Sequence, residues 1–569
     1  MGRTRYIAAI FIFAAITICS IASAEMPLLT KYNGLGHEGV ESETGRYWVF
    51  FTDKGTHEEL LKSSPQTVKL PLSERAIRRR AMRASDTEPV MTCDLPVEER
   101  YIQQITDAGF EVHTVSRLLN AVSVVAVPEQ LPLLDDFDFV SEIRPVLRFR
   151  RERIPVEKTT GFFKAEPMQQ WSLDYGKSLG QLQMMLVPHL HEQGLTGAGV
   201  MIAIFDTGFK MGIEAYENAD IVATYDFIHE DEDVDDNDAL QVDHGTSVLS
   251  VMGGALDGEL YGPAFGASFL LAKTEDERNE IPIEEEYFVE AIDWAEALGC
   301  DIISASLGYT DWFDFSDMDG NTATTTIACD AAASRGVTVV VSAGNERLHL
   351  WGHVSAPADG DSVIAVGAVD PNGLLTSFSS PGPTADGRIK PDICAQGTSV
   401  WAAGHWGGFY NFSGTSAAAP LAAGAIALLL ELHPDWGPID VRNAIWSTAR
   451  KRGDRTYPNN DYGYGIVDAA AASGLFGTPT GTNAVIAYPN PFDEWVRFKF
   501  PGEASAGMLY IFALDGSKVF EKPLASAEPI YEYEWDGRNS SGNEVAAGIY
   551  IVKITGIGFE ELVKVAKVN

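Results

Sequence analysis

"VMIAIFDTGF", residues 200–209, is an apolar run that ends abruptly in an acid, a threonine and a glycine. The run from Val200 to Phe205 has no polar alternation, so it reads as a strand covered on both faces. Three similar runs follow: "DIISASLG" (301–308), "VTVVVSAGN" (337–345) and "SVIAVGAV" (362–369). Interleaved with them are two helical stretches, "YFVEAIDWAEALG" and "TTIACDAAASRG", each closed by a glycine, a common helix stop. This alternation predicts an α/β domain with a mostly parallel sheet and helices on both faces. Ligands of such sheets sit beyond the carboxyl ends of the strands. The residues just past each apolar run are therefore the first to inspect.

Asp206 ends the first run, and Asn345 ends the third. His244 opens the helical stretch "VDHGTSVLSVMGG", beside an acidic loop. Ser416 lies in "NFSGTSAAAP" (411–420), where an alanine-rich helix begins. Taken singly, each has a plain reading as a turn, cap or surface residue. Together they supply one chemistry. A serine hydroxyl needs an imidazole to take its proton, and the imidazole needs a carboxylate to fix its tautomer. A side-chain amide such as that of Asn345 can donate to the oxyanion that forms. Gly414 lets the chain turn where a substrate backbone must approach. Pro420 lacks an N–H, so the Ser416 carbonyl has no partner within the helix.

The motifs "DTG" (206–208), "HGTS" (244–247), "SAGN" (342–345) and "GTSAAAP" (414–420) resemble those of the subtilisin family of serine endopeptidases. The chain order Asp, His, Ser is that family's, distinct from the chymotrypsin and α/β-hydrolase orders. The resemblance spans about 300 residues and implies a subtilisin-like α/β fold. It implies catalytic roles for Asp206, His244, Ser416 and Asn345. It also implies that an extended protein or peptide substrate adds beside "SLG", as a strand. Ser306, Leu307 and Gly308 would then form one wall of the specificity pocket, and Ser342, Ala343 and Gly344 the other. The floor falls near Val354 and Ser355, and the small wall residues leave room for a bulky apolar side chain. No cofactor is required for such chemistry. The acidic loop "EDEDVDDNDALQVD" (230–243) suits a structural calcium ion through its many oxygens. A solvated surface loop is the alternative.

Outside this region the chain changes character. Residues 1–24 carry Arg3 and Arg5, an apolar run and the small residues "ASA", the pattern of a cleaved signal peptide. A membrane anchor is the alternative, but the run is short for a span. Apart from this segment, nothing reads as membrane-spanning, and "PLAAGAIALLL" (420–430) reads as a core helix. Residues 25–165 hold two arginine clusters, "LPLSERAIRRRAMR" (70–83) and "RPVLRFRRER" (144–153). These either solvate one face or dock on an acidic partner such as the rest of the chain. By resemblance this region is a propeptide that inhibits its own enzyme, with a ferredoxin-like core at about 90–150. Its removal point falls between about 155 and 180, and the peptidase domain occupies 166–475. A polar linker, 476–483, leads to alternating short runs at 484–569, which read as an all-β sandwich. "YPNPF" (488–492), "WDG" (535–537) and "GIYIVK" (548–553) resemble immunoglobulin-like tails that sort exported bacterial proteins through type IX secretion machinery. A passive or adhesive sandwich is the alternative.

Composition narrows the range of partners. The chain has 569 residues, with 42 Lys and Arg against 80 Asp and Glu, a net charge of −38. That field disfavours nucleic acid and anionic membranes as partners. Cys93, Cys300, Cys329 and Cys394 remain once the leader is gone, and both free thiols and one bridge are open. The implied protein is an extracellular enzyme, secreted or held at a bacterial cell surface, made as a precursor. A catalytically silent binding relative is the competing reading, and four intact catalytic positions argue against it. A lipase is disfavoured because "GTSAA" is not the G-x-S-x-G elbow.

Overall fold

The computed structural model describes residues 45–58, 70–84, 90–146, 171–235, 239–276, 284–310, 313–452 and 455–475. In the C-terminal part it describes 486–488, 492, 495–499, 506–513, 517–525, 532–556 and 559–567. The signal segment and the linker expected at 476–483 lie outside these residues.

The N-terminal domain is a four-stranded antiparallel sheet with helices. Its elements are β1 (Gly45–Phe51), α1 (Glu74–Arg83), α2 (Glu99–Asp107), β2 (Glu111–Ser116), β3 (Ala121–Ala126) and β4 (Val140–Pro145), in sheet order β2-β3-β1-β4. The sheet therefore draws a strand from well upstream of the 90–150 stretch. Alternation along β1 gives the domain two apolar faces. Val49 and Phe51 join Ile105, Val122 and Val124 in the domain's own core. Trp48 packs instead with Phe288, Ala291 and Ala295 of the next domain. The first arginine cluster is helix α1, capped by Ser73, whose side chain accepts from the Ala76 N–H. Arg75, Arg79, Arg80 and Arg83 dock on the rest of the chain, while Arg78 stays exposed beside Glu74.

The central domain follows the expected α/β plan. Its strands are β5 (Met201–Asp206), β6 (Asp220–Asp226), β7 (Ser268–Lys273), β8 (Ile302–Ala305), β9 (Thr338–Ser342), β10 (Ile364–Val369) and β11 (Ile393–Gln396). They form one parallel sheet in the order β11-β10-β9-β8-β5-β7-β6. Residues alternate between two cores. Ile202, Ile204, Val340 and Val366 enter one. Ala203, Phe205, Val339, Val341 and Ala365 enter the other. Helices α3 (Ala239–Gly253) and α6 (Thr415–Leu432) cover the first face, and α4 (Glu284–Leu298) and α5 (Thr324–Ser334) the second. The hairpin β12 (Val400–Ala403) and β13 (Phe409–Phe412) precedes α6, and α7 (Pro438–Thr448) follows it. Helix α6 is long and apolar enough to cross a membrane, but residues 415–430 are all buried in the domain core. The strand order reverses between β5 and β8, which marks the carboxyl ends of those two strands as the place for a site.

The C-terminal part contains a three-stranded sheet and a four-stranded sheet. The first holds β14 (Ile486–Tyr488), β15 (Val496–Lys499) and β18 (Glu532–Trp535). The second holds β16 (Ala506–Ala513), β17 (Lys518–Ala525), β19 (Gly548–Gly556) and β20 (Phe559–Lys567). Phe498, Trp535, Ile511, Val552 and Val565 from both sheets share one core, as in a sandwich. Among the described residues Cys93, Cys300, Cys329 and Cys394 are free thiols, and the last three are buried.

Candidate active site

Asp206 is the last residue of β5 and is fully buried. Its Oδ1 lies 2.7 Å from His244 Nδ1. A carboxylate only accepts, so Nδ1 carries a proton, and in the neutral imidazole Nε2 is the nitrogen with the lone pair. The Thr207 N–H (2.8 Å) and hydroxyl (3.2 Å) donate to the same Oδ1 and hold the carboxylate in place. His244 Nε2 is buried and has no hydrogen-bond partner among the described residues. His244 sits in the second turn of α3 rather than at its start, because the helix begins at Ala239. The chain reaches it closely: a Cβ on Gly245 would lie 2.2 Å from the Gly208 carbonyl.

Ser416 is the second residue of α6. Gly414 precedes the helix at φ 141°, a backbone that strains residues with a Cβ. The Ser416 hydroxyl donates to the Ser306 carbonyl at 3.3 Å. In return the Ser306 hydroxyl donates to the Ser416 carbonyl at 3.1 Å. That carbonyl is the one Pro420 leaves without a helical donor. Asn345 lies three residues beyond β9. Its Oδ1 accepts from both the Thr415 N–H and the Thr415 hydroxyl, each at 3.0 Å. With the oxygen so occupied, the amide nitrogen is the end left to donate. Thr207 and Thr415 escape sequence reasoning as site residues, and Ser306, expected only as a pocket wall, also bonds the Ser416 carbonyl; each acts on a neighbour's orientation. The signal available for the two threonines was adjacency, Thr207 to Asp206 and Thr415 to Ser416.

The two expected pocket walls run side by side. The Ser342 hydroxyl donates to the Leu307 carbonyl at 3.2 Å. Ser306, Leu307, Ser342 and Ala343 are buried. A Cβ on Gly308 would lie 2.2 Å from Ser355 Oγ, and one on Gly344 would lie 3.0 Å from the same atom. Ser355 Oγ therefore stands between the walls, buried and without a partner among the described residues. The described carboxylates of the acidic loop include two that are paired with cationic or imidazole groups. Asp235 is bonded by Lys210 Nζ at 2.9 and 3.0 Å, and Asp243 by His405 Nδ1 at 2.9 Å. Among the described residues no group of His, Cys, Asp and Glu is arranged to hold a metal ion.

Residues 197–465 match the subtilase family, and residues 46–159 match the peptidase S8 propeptide domain of Bacteroidota. The chain is 31% identical over 303 residues to subtilisin E of Bacillus subtilis, covering 53% of this chain and 71% of that one. The chain belongs to the subtilase family. It is likewise 31% identical over 296 residues to subtilisin Savinase of Lederbergia lenta, covering 50% of this chain and 95% of that one. A solved chain of proteases from Pseudoalteromonas arctica is 23% identical, with a TM-score of 0.43, over 53% of this chain and 99% of that one. This subtilase is a serine-type endopeptidase with a propeptide, consistent with synthesis as a precursor. Catalysis in the family needs no cofactor.

Proposed function

We propose that the protein is a secreted endopeptidase that cleaves peptide bonds through Asp206, His244 and Ser416, with Asn345 as oxyanion donor. The observation that carries this reading is the Asp206–His244 bond at 2.7 Å, which fixes Nδ1 as the donor and leaves Nε2 buried without a partner among the described residues. In the reaction the Ser416 hydroxyl turns from the Ser306 carbonyl to His244 Nε2, which takes its proton. Bonds of this kind often form only in the substrate complex. Oγ then attacks the scissile carbonyl carbon, and the carbonyl π electrons move onto oxygen. The Asn345 amide and the amino end of α6 stabilise that charge. The imidazolium, steadied by Asp206, returns the proton to the leaving amine. Water attacks the acyl-enzyme by the same route and releases Ser416. Substrate lies along 306–308 and 342–344.

The remaining assignments complete a precursor. Residues 1–24 direct export, the region 25–165 inhibits until it is cut away, and the C-terminal sandwich engages secretion machinery. The protein then acts outside the cell or at its surface. The test pairs wild type with Ser416→Ala, each offered casein and a fluorophosphonate probe. Wild type should cleave and label, while the variant does neither and accumulates as uncut precursor. A matured wild type that neither labels nor cleaves would sink the reading.

A further inference from the structure

Five arginines of the N-terminal domain converge on two carboxylates of the peptidase domain. Arg79, Arg80 and Arg117 all pair with Glu296, Arg80 in a bidentate grip at 2.8 and 2.6 Å and Arg117 at 2.6 Å. Arg75 and Arg83 share Asp301, the latter at 2.7 Å. Asp94 of the N-terminal domain balances Arg80 (2.7 Å) and Arg117 (3.2 Å) from behind. Both Arg79 and Arg80 are 1% exposed, and Glu296 is fully buried.

The same arginines reach main-chain carbonyls at the carboxyl ends of three helices. Arg75 Nε donates to Gly299 (3.0 Å) and Arg79 Nη1 to Cys300 (2.5 Å), both just past α4. Arg79 Nε donates to Arg335 (3.4 Å), at the end of α5. Arg83 Nε donates to Pro434 (2.6 Å), past α6. Helix carboxyl ends concentrate unpaired carbonyls and negative partial charge, and cations there are favourable. The shape agrees with the charge. A Cβ on Gly299 would lie 2.6 Å from the Ala76 nitrogen, and one on Gly336 would lie 2.9 Å from Arg83 Cβ. Helix α1 thus lies in a depression kept open by the glycines that end α4 and α5.

This depression is far from the chemistry. Ser416 begins α6 and Pro434 lies beyond its other end, so the 18 residues of the helix separate them by about 27 Å. Asp301 also accepts from the Met201 N–H at 2.8 Å, which puts α1 at the amino ends of β5 and β8. The active site is at their carboxyl ends.

We infer that the peptidase domain carries a seat for an arginine-bearing helix, and that residues 70–84 stay in it as a stabilising subunit that does not block the active site. The inference rests on the reading of the N-terminal domain as a removable propeptide. Its physical ground is the set of contacts that departure would break: five guanidiniums paired with two carboxylates, and three helix carboxyl ends that these arginines cap. Breaking buried pairs by removing one partner is strongly unfavourable.

The test has two arms. In the full chain carrying Ser416→Ala, sequences for a site-specific protease replace 62–67 and 85–89, and the folded protein is cut. The freed fragment should elute with the body on size exclusion. A labelled synthetic 70–84 peptide should exchange into it, and the same peptide with Arg79, Arg80 and Arg83 replaced by alanine should compete at least about 100-fold worse. In the second arm, the peptide is added to the matured wild-type enzyme. It should raise the thermal midpoint saturably and leave kcat/KM on a small chromogenic peptide unchanged. A fragment that elutes alone, an alanine peptide that competes equally, or a 70–84 peptide that inhibits would each overturn the inference. The first arm needs no catalysis. A wild-type chain that fails to label with fluorophosphonate therefore defeats the proposed function while the seat is still decided.

Discussion

The two ends of α6 are built on opposite rules. At its amino end, polar atoms are held in place yet left unsatisfied: His244 Nε2 has no partner among the described residues, and the Ser416 hydroxyl rests on a 3.3 Å bond. At its carboxyl end, carbonyls and carboxylates are saturated by guanidinium groups. Unsatisfied buried polar groups cost stability and are kept where chemistry needs them. Saturated ones define a single packing. Changes at the first end should therefore move rate, and changes at the second should move stability.

The sharpest break of that contrast is Ser416→Ala. Turnover should fall about a millionfold, the loss established for the nucleophile of subtilisin itself. The precursor's thermal midpoint should move little, because the residue lost is one weak bond. Asn345→Ala should lower kcat by about 100- to 1,000-fold with KM little changed, a range established for the corresponding donor in subtilisin. Steady-state kinetics on a peptide anilide checks it. A loss confined to KM would mean that Asn345 binds substrate rather than the oxyanion. At the other end, Glu296→Ala in the precursor strands Arg79, Arg80 and Arg117. Stability should drop by about 3–5 kcal/mol, as for other broken buried pairs. Burial would raise the Glu296 carboxyl, but the three guanidiniums outweigh it and hold it down at about 2. That stabilisation should persist above the ordinary carboxylate pKa and vanish only as pH falls from about 4.5 through about 2. Denaturant titrations of wild type and variant across that window measure it.

The active end of the molecule was far more legible in sequence than the anchoring end. The apolar runs at 200–205 and 362–369 became strands because residues buried on both faces leave no other pattern. Asp206, His244, Asn345 and Ser416 could be named because each sits in a short motif. Helix α1 was visible only as a basic cluster. Its buried face is Ala76 with Arg79, Arg80 and Arg83, and the peptidase-domain partners of these arginines lie more than 200 residues away. Hydrophobic periodicity cannot register a helix whose core-facing side is charged. Ser355 was expected near the pocket floor only through the family resemblance, since its place between Gly308 and Gly344 depends on two loops meeting in space. Ser355→Gly should widen that gap and raise kcat/KM several-fold for substrates with a bulky aromatic side chain. Equal kinetics across small and large side chains would remove Ser355 from the pocket.

The smallest expected effect lies between the two ends, where the N-terminal sheet packs on α4. Arg46 pairs with Glu286 at 2.8 Å, and Trp48 Nε1 donates to Glu285 at 2.9 Å. Burial, reinforced by the charges of Glu286, Glu230 and Asp293, pushes the neighbouring Glu290 carboxyl up to about 7. The nearby Thr114 hydroxyl of β2, which donates to Glu286 at 3.3 Å, pulls the other way. Once the sheet leaves, Glu290 returns toward the ordinary value near 4.5. A carboxyl whose pKa is higher in the docked state favours docking when protonated. The grip of the N-terminal domain should therefore weaken as pH rises from about 4.5 to about 7 and level off above that. His113 opposes this trend, because burial and Arg46 hold its imidazole below its usual value. The difference between wild type and Glu290→Gln isolates the carboxyl. Inhibition of the matured enzyme by its own N-terminal domain should lose part of its pH slope in the variant. Parallel slopes for the two proteins would mean that Glu290 stays solvated in the docked state.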